Sequence, residues 1–332
     1  PNPPPKDTQS YGELLGAVGW WDTAALAGAV AAWRTLVALV NPALVVCDHA
    51  PTALLALRGQ PPRRLVFGTG FCCPPPWREA LPIQPWRPVY RDRLRLADAQ
   101  LLAGVNEVLR AFAGPPLDHL GALYDGADGV LLTTYPPLDH FPQRPPQPYY
   151  GAWRGQFSAI EHHPPWPGGD GGRLLAYLKP HGPWRGLLPV ITGGPWRALI
   201  HVEGLDGPRA TALSTATATV VHRPLPMDCL GEADAALLNV GHGMTCESLW
   251  HGVPVVGLPL SVEQRLLGEA LRGLGAGVVL GEATPEALGN ALAEVLGEPT
   301  YGRAARDFAC HTAIPWGDAA LAGTLEALEA WL

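Results

Sequence analysis

The chain has 332 residues, of which 47% are hydrophobic and 16% are charged, and this length predicts two domains rather than one. Its formal net charge of -7 argues against a nucleic-acid-binding protein, which usually presents a basic face. The 39 glycines and 37 prolines follow no fixed period, which excludes collagen-like and disordered chains.

Short apolar runs in the first half predict buried strands that alternate with helices. The strands are predicted at residues 43–48, 63–71 and 129–135, and the helices at 22–40, 50–59 and 93–114. This alternation predicts a parallel sheet with right-handed crossovers.

The most apolar segment of the first half is residues 24–41, which Arg34 interrupts. A membrane span requires roughly 18 apolar residues, so we predict a buried helix here and no membrane span. No signal peptide is recognisable. These features predict a cytoplasmic protein.

Residues 151–172 have no period and end in a glycine-rich stretch, which is typical of a domain linker. His162 and His163 lie within it, and we interpret them as part of a solvated loop rather than a metal site. The segment separates a first domain at residues 1–150 from a second at 173–316.

The second half repeats the alternation of strands and helices. Its strands are predicted at residues 173–179, 197–204, 216–222, 234–240, 253–260 and 275–280, and a helix at 317–332 ends the chain. Both domains are therefore predicted to be α/β with parallel sheets.

The six cysteines show neither CxxC spacing nor the Cys/His spacing of a zinc site. They are predicted to be buried free thiols in a reducing compartment, without disulfides or a bound metal.

The densest polar stretch is "NVGHGMTCESLWHGVPVVGLPLSVEQ", residues 239–264. The preceding strand is predicted to turn into a helix at Gly241 and Gly243, which permit a tight turn and a close approach of a ligand to the backbone. Free N–H groups at the start of that helix favour a phosphate or pyrophosphate.

Carboxylates and an amide follow at the same sheet edge. Glu247 lies one turn into the helix, within reach of a ribose hydroxyl pair. Glu263 and Gln264 come after the next strand, where ligands of open α/β sheets bind, and are predicted to hold further hydroxyls.

This stretch resembles the donor-binding signature of nucleotide-sugar glycosyltransferases with the GT-B fold, the UDP-glycosyltransferase superfamily. Bacterial members read H-G-G-x-G-T-x-x-E, then G-V-P, then P-x-x-x-[DE]-Q. The matching residues here are Asn239, Val240, Gly241, His242, Gly243, Met244, Thr245, Cys246 and Glu247, then Gly252, Val253 and Pro254, then Pro259, Glu263 and Gln264.

The resemblance implies two Rossmann-like domains that face a cleft, with the last helix returning toward the first domain. It implies binding of a UDP-sugar or dTDP-sugar at the signature, with the backbone around Pro226 and Met227 contacting the base. It also implies a small-molecule, lipid or glycan acceptor, and no cofactor.

The sequence departs from the family pattern in two places, the signature and the opening segment. Asn239 replaces the phosphate-contacting histidine, and Met244 replaces a hydroxyl residue, which shifts pyrophosphate binding toward the backbone N–H groups. The opening strand, Gly/His loop and helix of the family have no counterpart in "PNPPPKDTQSYGELL", and we expect that the given chain lacks its natural start.

The chemistry that the resemblance implies is an inverting displacement by an acceptor hydroxyl, without a metal ion. No D-x-D motif occurs in the chain. Asp48 falls where many family members place the aspartate that orients the catalytic histidine, and His49 beside it is a candidate base; alternatively, Asp48 caps the helix near Pro51.

Other functions remain open at this point. "GHGMTC" after a strand approximates a dinucleotide fingerprint, so an NAD-dependent oxidoreductase is one alternative. A sugar-nucleotide epimerase shares the architecture. A catalytically degenerate protein that only binds a nucleotide sugar is another, since Asn239 and Met244 depart from the pattern.

Overall fold

The structure, a computed structural model, describes residues 8–154 and 164–332. His162 and His163 of the predicted linker lie outside the described residues. The chain divides into two compact units, which are considered one at a time. The first contains residues 1–134, 143–150 and 322–332, and the second contains residues 135–142 and 151–321.

Every predicted strand is present in the described part of the chain, within its predicted bounds. The strands are β1 Leu44–Asp48, β2 Arg63–Gly68, β3 Gly129–Leu132, β4 Arg173–Leu178, β5 Arg197–Val202, β6 Ala218–Val221, β7 Ala235–Leu238, β8 Val255–Gly257 and β9 Gly277–Val279.

Helices connect almost all of these strands. They are α1 Tyr11–Leu15, α2 Thr23–Val40, α3 Pro51–Ala56, α4 Arg91–Ala111, α5 Ala122–Asp125, α6 Trp184–Gly193, α7 Gly207–Leu213, α8 His242–Trp250, α9 Val262–Leu274, α10 Pro285–Gly297, α11 Pro299–His311 and α12 Asp318–Glu329. A π-helical turn at Gly16–Trp20 and 3₁₀ turns at Pro136–Leu138 and Met227–Glu232 complete the described elements.

The sheet of the first unit has the strand order β1-β2-β3, and both pairings are parallel. Leu65 and Leu132 are completely buried at its centre. Their burial fits the apolar character that predicted parallel strands here.

The helix α2 corrects the prediction of a buried helix at residues 24–41. Among its residues only Leu26 and Val30 are buried, and Leu39 is 82% exposed. By length and composition it is the one described helix that meets the requirements for a membrane span, a test that core helices and signal sequences also pass. Because α2 is apolar on all sides, the pattern did not reveal that only one stripe packs against its neighbours.

The second unit is a six-stranded parallel sheet with the order β6-β5-β4-β7-β8-β9. Leu175 and Leu199 belong to one cluster of buried side chains, and Leu174 and Ile200 belong to another. Adjacent residues of a strand therefore contribute to different cores. Successive strands are added toward one edge of the sheet from β4 to β6 and toward the other edge from β7 to β9. The strand order therefore reverses between β4 and β7. Ligands of such sheets bind at this switch point, outside the carboxyl ends of the strands.

Candidate functional site

The turn after β7 contains a strained residue at the switch point. Val240 has a φ of 57°, a left-handed conformation that is unusual for a β-branched residue, and its side chain is completely buried. We expected Gly241 and Gly243 to form the tight turn, but Gly241 has a φ of -69° and Gly243 lies inside α8. Burial of the Val240 side chain against Gly257 holds the strained backbone in place.

The first turn of α8 is open toward this edge of the sheet. Gly241 is the N-cap residue, and no side chain caps the helix. A Cβ atom added to Gly241 or Gly243 would meet no other atom within 4 Å. The glycines therefore leave space above N–H groups at the positive end of a helix dipole, which suits an anion.

The side chains of this turn point to other partners. The Thr245 hydroxyl donates to the Gly241 carbonyl at 3.0 Å, and Met244 packs against the apolar core. His242 is half-buried and stacks on His140, with ring centroids 6.4 Å apart. Burial and the neighbouring His140 lower the pKa of His242 to about 3, so this imidazole is neutral at neutral pH.

The Asn239 side chain forms hydrogen bonds that link the ends of three strands. It is 6% exposed, its Oδ1 accepts from the Lys179 backbone N–H at 2.7 Å, and its Nδ2 donates to the Leu258 carbonyl at 2.9 Å. Lys179 follows β4, Asn239 follows β7 and Leu258 follows β8. The amide side chain therefore fixes the edge on which the open turn stands.

Replacing Asn239 by leucine is expected to destabilise the fold, because the Lys179 N–H and the Leu258 carbonyl lose their partner. A buried polar group left unpaired costs about 1–3 kcal/mol, so for two groups we expect a total loss of about 2–6 kcal/mol. Urea denaturation of wild type and variant, compared by their midpoints, measures the effect. Asn290→Leu, on the exposed side of α10, is the control and should change stability by less than about 0.5 kcal/mol. Equal midpoints for both variants would contradict the assigned role of Asn239.

Glu247 is a buried carboxylate between the side chains of Arg154 and His251. It is 3% exposed, and its Oε1 lies 3.6 Å from Arg154 Nε and 3.3 Å from His251 Nε2. Neither contact is a hydrogen bond, and Oε1 has no hydrogen-bond partner among the described residues. An acceptor atom without a donor is thus held close to the open turn by α8.

Glu263 and Gln264 stand in the first turn of α9 rather than at the end of a strand, since β8 stops at Gly257. Ser261 caps α9, and Gln264 Oε1 accepts from the Leu260 N–H at 2.7 Å. Glu263 Oε1 lies 3.2 Å from Nε2 of the buried His140. The loops after β7 and β8 therefore present these polar groups at one edge of the sheet.

Comparison with known proteins agrees with this geometry. Residues 205–310 match the family model of UDP-glucoronosyl and UDP-glucosyl transferases. This region includes the turn, α8 and the start of α9. The chain has the GT-B fold, and its residues 205–310 are similar to this transferase family.

Several solved glycosyltransferases share the fold of this chain. The glycotransferase of kitacinnamycin is 17% identical and has a TM-score of 0.67, over 94% of this chain and 83% of its own. SnogD from Streptomyces nogalater is 20% identical, with a TM-score of 0.59 over 98% and 82%. None of the curated proteins matches the sequence significantly.

A third similar protein is the spinosyn rhamnosyltransferase SpnG. It is 19% identical, with a TM-score of 0.62 over 93% of this chain and 80% of its own. SpnG has been solved in complex with thymidine diphosphate and in complex with the spinosyn aglycone. At identities this low, the comparison establishes only that the proteins share a fold.

The residues that were predicted to contact the base precede β7. Pro226 is followed by the 3₁₀ turn, and the Met227 side chain is 7% exposed within the apolar core. The contact of their backbone with a base stays a prediction.

The candidate catalytic residues Asp48 and His49 belong to the first unit. Both are exposed at the carboxyl end of β1, and His49 has a left-handed φ of 43°. The helix α3 begins at Pro51 with Ala50 as its N-cap and without a side-chain cap, so Asp48 does not cap it. Strained residues of this kind often mark functional sites.

Sequence reasoning missed three residues at the site of the second unit: His140, Arg154 and Lys179. His140 and Glu263 are separated by 123 positions, and no local pattern links them. Lys179 carried a usable signal, because it directly follows a predicted strand of the same sheet. Among the described residues, no group of three or more His, Cys, Asp or Glu side chains is arranged to hold a metal ion. None of the six described cysteines forms a disulfide, but Cys310 is exposed, which corrects the prediction that these thiols are buried.

Proposed function

We propose that this enzyme transfers a sugar from UDP-sugar or dTDP-sugar to a hydroxyl group of a small-molecule, lipid or glycan acceptor, with inversion at the anomeric carbon. One observation carries the proposal: the uncapped first turn of α8 faces open space above Gly241 and Gly243. A diphosphate fits this place, because it accepts hydrogen bonds from several backbone N–H groups at once.

The remaining donor contacts follow from the elements around this turn. Glu247 accepts from the ribose hydroxyls once Arg154, whose side chain is 38% exposed, moves aside. Glu263 and Gln264 bind hydroxyls of the transferred sugar. The contact with His140 keeps the carboxylate of Glu263 in place before the sugar arrives.

In the reaction, an acceptor oxygen forms a bond to the anomeric carbon while the bond from that carbon to the diphosphate oxygen breaks. The electron pair of the broken bond goes to the diphosphate, where the N–H groups of α8 stabilise the charge. The acceptor proton goes to a base, for which we propose His49 with Asp48 as its partner. No metal ion is required in this scheme.

Solved complexes of a similar protein support the choice of ligands. SpnG binds thymidine diphosphate and a spinosyn aglycone, and the present chain shares its fold. We extend the class of ligand, a nucleoside diphosphate and a hydroxylated small molecule, to this enzyme.

Calorimetry with UDP, dTDP and NAD tests the proposal, followed by assays of nucleotide release from UDP-sugars and dTDP-sugars with a panel of hydroxyl acceptors. We expect a nucleoside diphosphate to bind far more tightly than NAD. Tighter binding of NAD would favour an oxidoreductase instead. Binding of a nucleotide without turnover of any donor would favour a protein that only binds nucleotide sugars.

A further inference from the structure

The open turn of α8 has no positively charged side chain of its own. Residues 239–247 include neither lysine nor arginine. His242 is neutral at neutral pH, and Glu247 adds a negative charge. A nucleoside diphosphate brings two to three negative charges (about the charge of two phosphates near neutral pH), which backbone dipoles alone balance poorly.

Lys179 stands at the switch point, directly beside this turn. The strands β4 and β7 pair in parallel there, with Tyr177 opposite Leu238, and Lys179 and Asn239 soon follow on the two strands. The Lys179 backbone N–H donates to Asn239 Oδ1 at 2.7 Å. This hydrogen bond fixes the backbone of Lys179 next to Asn239, which precedes the turn.

The loop that contains Lys179 also borders the loop before α9. A Cβ atom added to Gly182 would lie 3.3 Å from the Leu260 side chain, and Leu260 is bound by Gln264. The ends of β4, β7 and β8 therefore meet around one space. The backbone of Lys179 therefore lies at the sheet edge where the diphosphate is proposed to bind, and its flexible side chain starts from that edge.

The ammonium group of Lys179 has a partner that is easily exchanged. Its Nζ lies 2.6 Å from Glu203 Oε2, and the two side chains are 46% and 49% exposed. The hydrogen bond from Lys179 is the main cause that lowers the pKa of Glu203. Exposed ion pairs contribute little to stability, so a diphosphate with its higher charge competes well for the ammonium.

The choice of lysine at this position is unusual for this sequence. The chain has 23 basic residues, and only Lys6 and Lys179 among them are lysines. An ammonium is a compact charge on a flexible stem, which can follow a phosphate as charge develops on it. An arginine would instead hold a planar, bidentate geometry.

We infer that Lys179 is the cation that binds the diphosphate of the donor and stabilises it as the leaving group. The inference rests on the proposed function. As the bond from the anomeric carbon to the diphosphate oxygen breaks, the ammonium neutralises the charge that the electron pair brings to the phosphate. Lys179 keeps its proton throughout and exchanges Glu203 for the diphosphate.

Calorimetry with UDP, UMP and uridine separates the effect of charge from general damage. Lys179→Met keeps the apolar stem and the backbone N–H to Asn239, so thermal unfolding should match wild type. We expect UDP affinity to fall about tenfold or more, since one charged hydrogen bond is lost, and uridine affinity to stay unchanged. Glu203→Gln is the matched control and should bind UDP as tightly as wild type or more tightly.

The outcomes of this experiment are distinct. Equal UDP affinity in wild type and Lys179→Met, or equal losses for UDP and uridine, would overturn the role of Lys179 while leaving the proposed function standing. A wild type that binds neither UDP nor dTDP would remove the proposed function and this inference together.

A second readout observes the lysine directly. Reductive methylation with ¹³C-formaldehyde labels Lys179, Lys6 and the terminal amine, and the Lys179 signal is assigned by its absence in Lys179→Met. We expect this signal to shift on saturation with UDP but not with uridine. An unchanged Lys179 signal in UDP-saturated protein contradicts the inference.

Discussion

Glu247→Gln is expected to weaken the binding of UDP by about tenfold or more, because a charged acceptor of the ribose hydroxyls becomes a neutral one. The substitution keeps the size of the side chain, which matters at a position that is 3% exposed. It also removes the charge that faces Arg154 and His251. Calorimetry at constant salt measures the affinity.

A second nucleotide makes this test specific for the ribose. Wild type should bind UDP more tightly than 2′-deoxy-UDP, and Glu247→Gln should bind both with nearly equal affinity, since the interaction with the 2′-hydroxyl is already lost. An undiminished preference of Glu247→Gln for UDP would place the ribose elsewhere. Thermal unfolding of the variant is measured alongside, since a buried carboxylate next to Arg154 and His251 also contributes to the fold.

Gly243→Ala should separate ligand binding from stability. A methyl group at Gly243 meets no protein atom within 4 Å, and alanine is a better helix former, so the fold should be unchanged or stabilised by up to about 1 kcal/mol. The same methyl group stands in the space that we assign to the diphosphate. It should break one or more charged hydrogen bonds and weaken UDP binding by about tenfold or more.

Gly273→Ala provides the matched control for this substitution. Gly273 lies near the end of α9, and an added Cβ atom there also meets nothing within 4 Å. Both variants should unfold at or above the wild-type temperature, and only Gly243→Ala should lose affinity for UDP. Full UDP affinity in Gly243→Ala would show that the diphosphate does not approach this turn.

The sequence alone was sufficient to predict the α/β class, the parallel strands and the helix that begins after β7. These features depend on local patterns: short apolar runs, glycine-containing turns and alternation with helices. The sequence also predicted that the polar residues after β7 and β8 share one edge of the sheet, because strand ends in a parallel sheet share one edge. The order of strands across the sheet was not predicted, since it depends on which strands pair.

The tertiary structure decided how the site is built. The strained turn is held by Val240 because its buried side chain offsets the cost of a left-handed backbone, a balance that no local rule for glycine anticipates. The reversal of strand order places Lys179 beside Asn239, 60 positions away in the chain. The partial exposure of α2 was also decided by packing. Its composition is apolar on every side, so the sequence does not reveal which side the neighbouring elements cover.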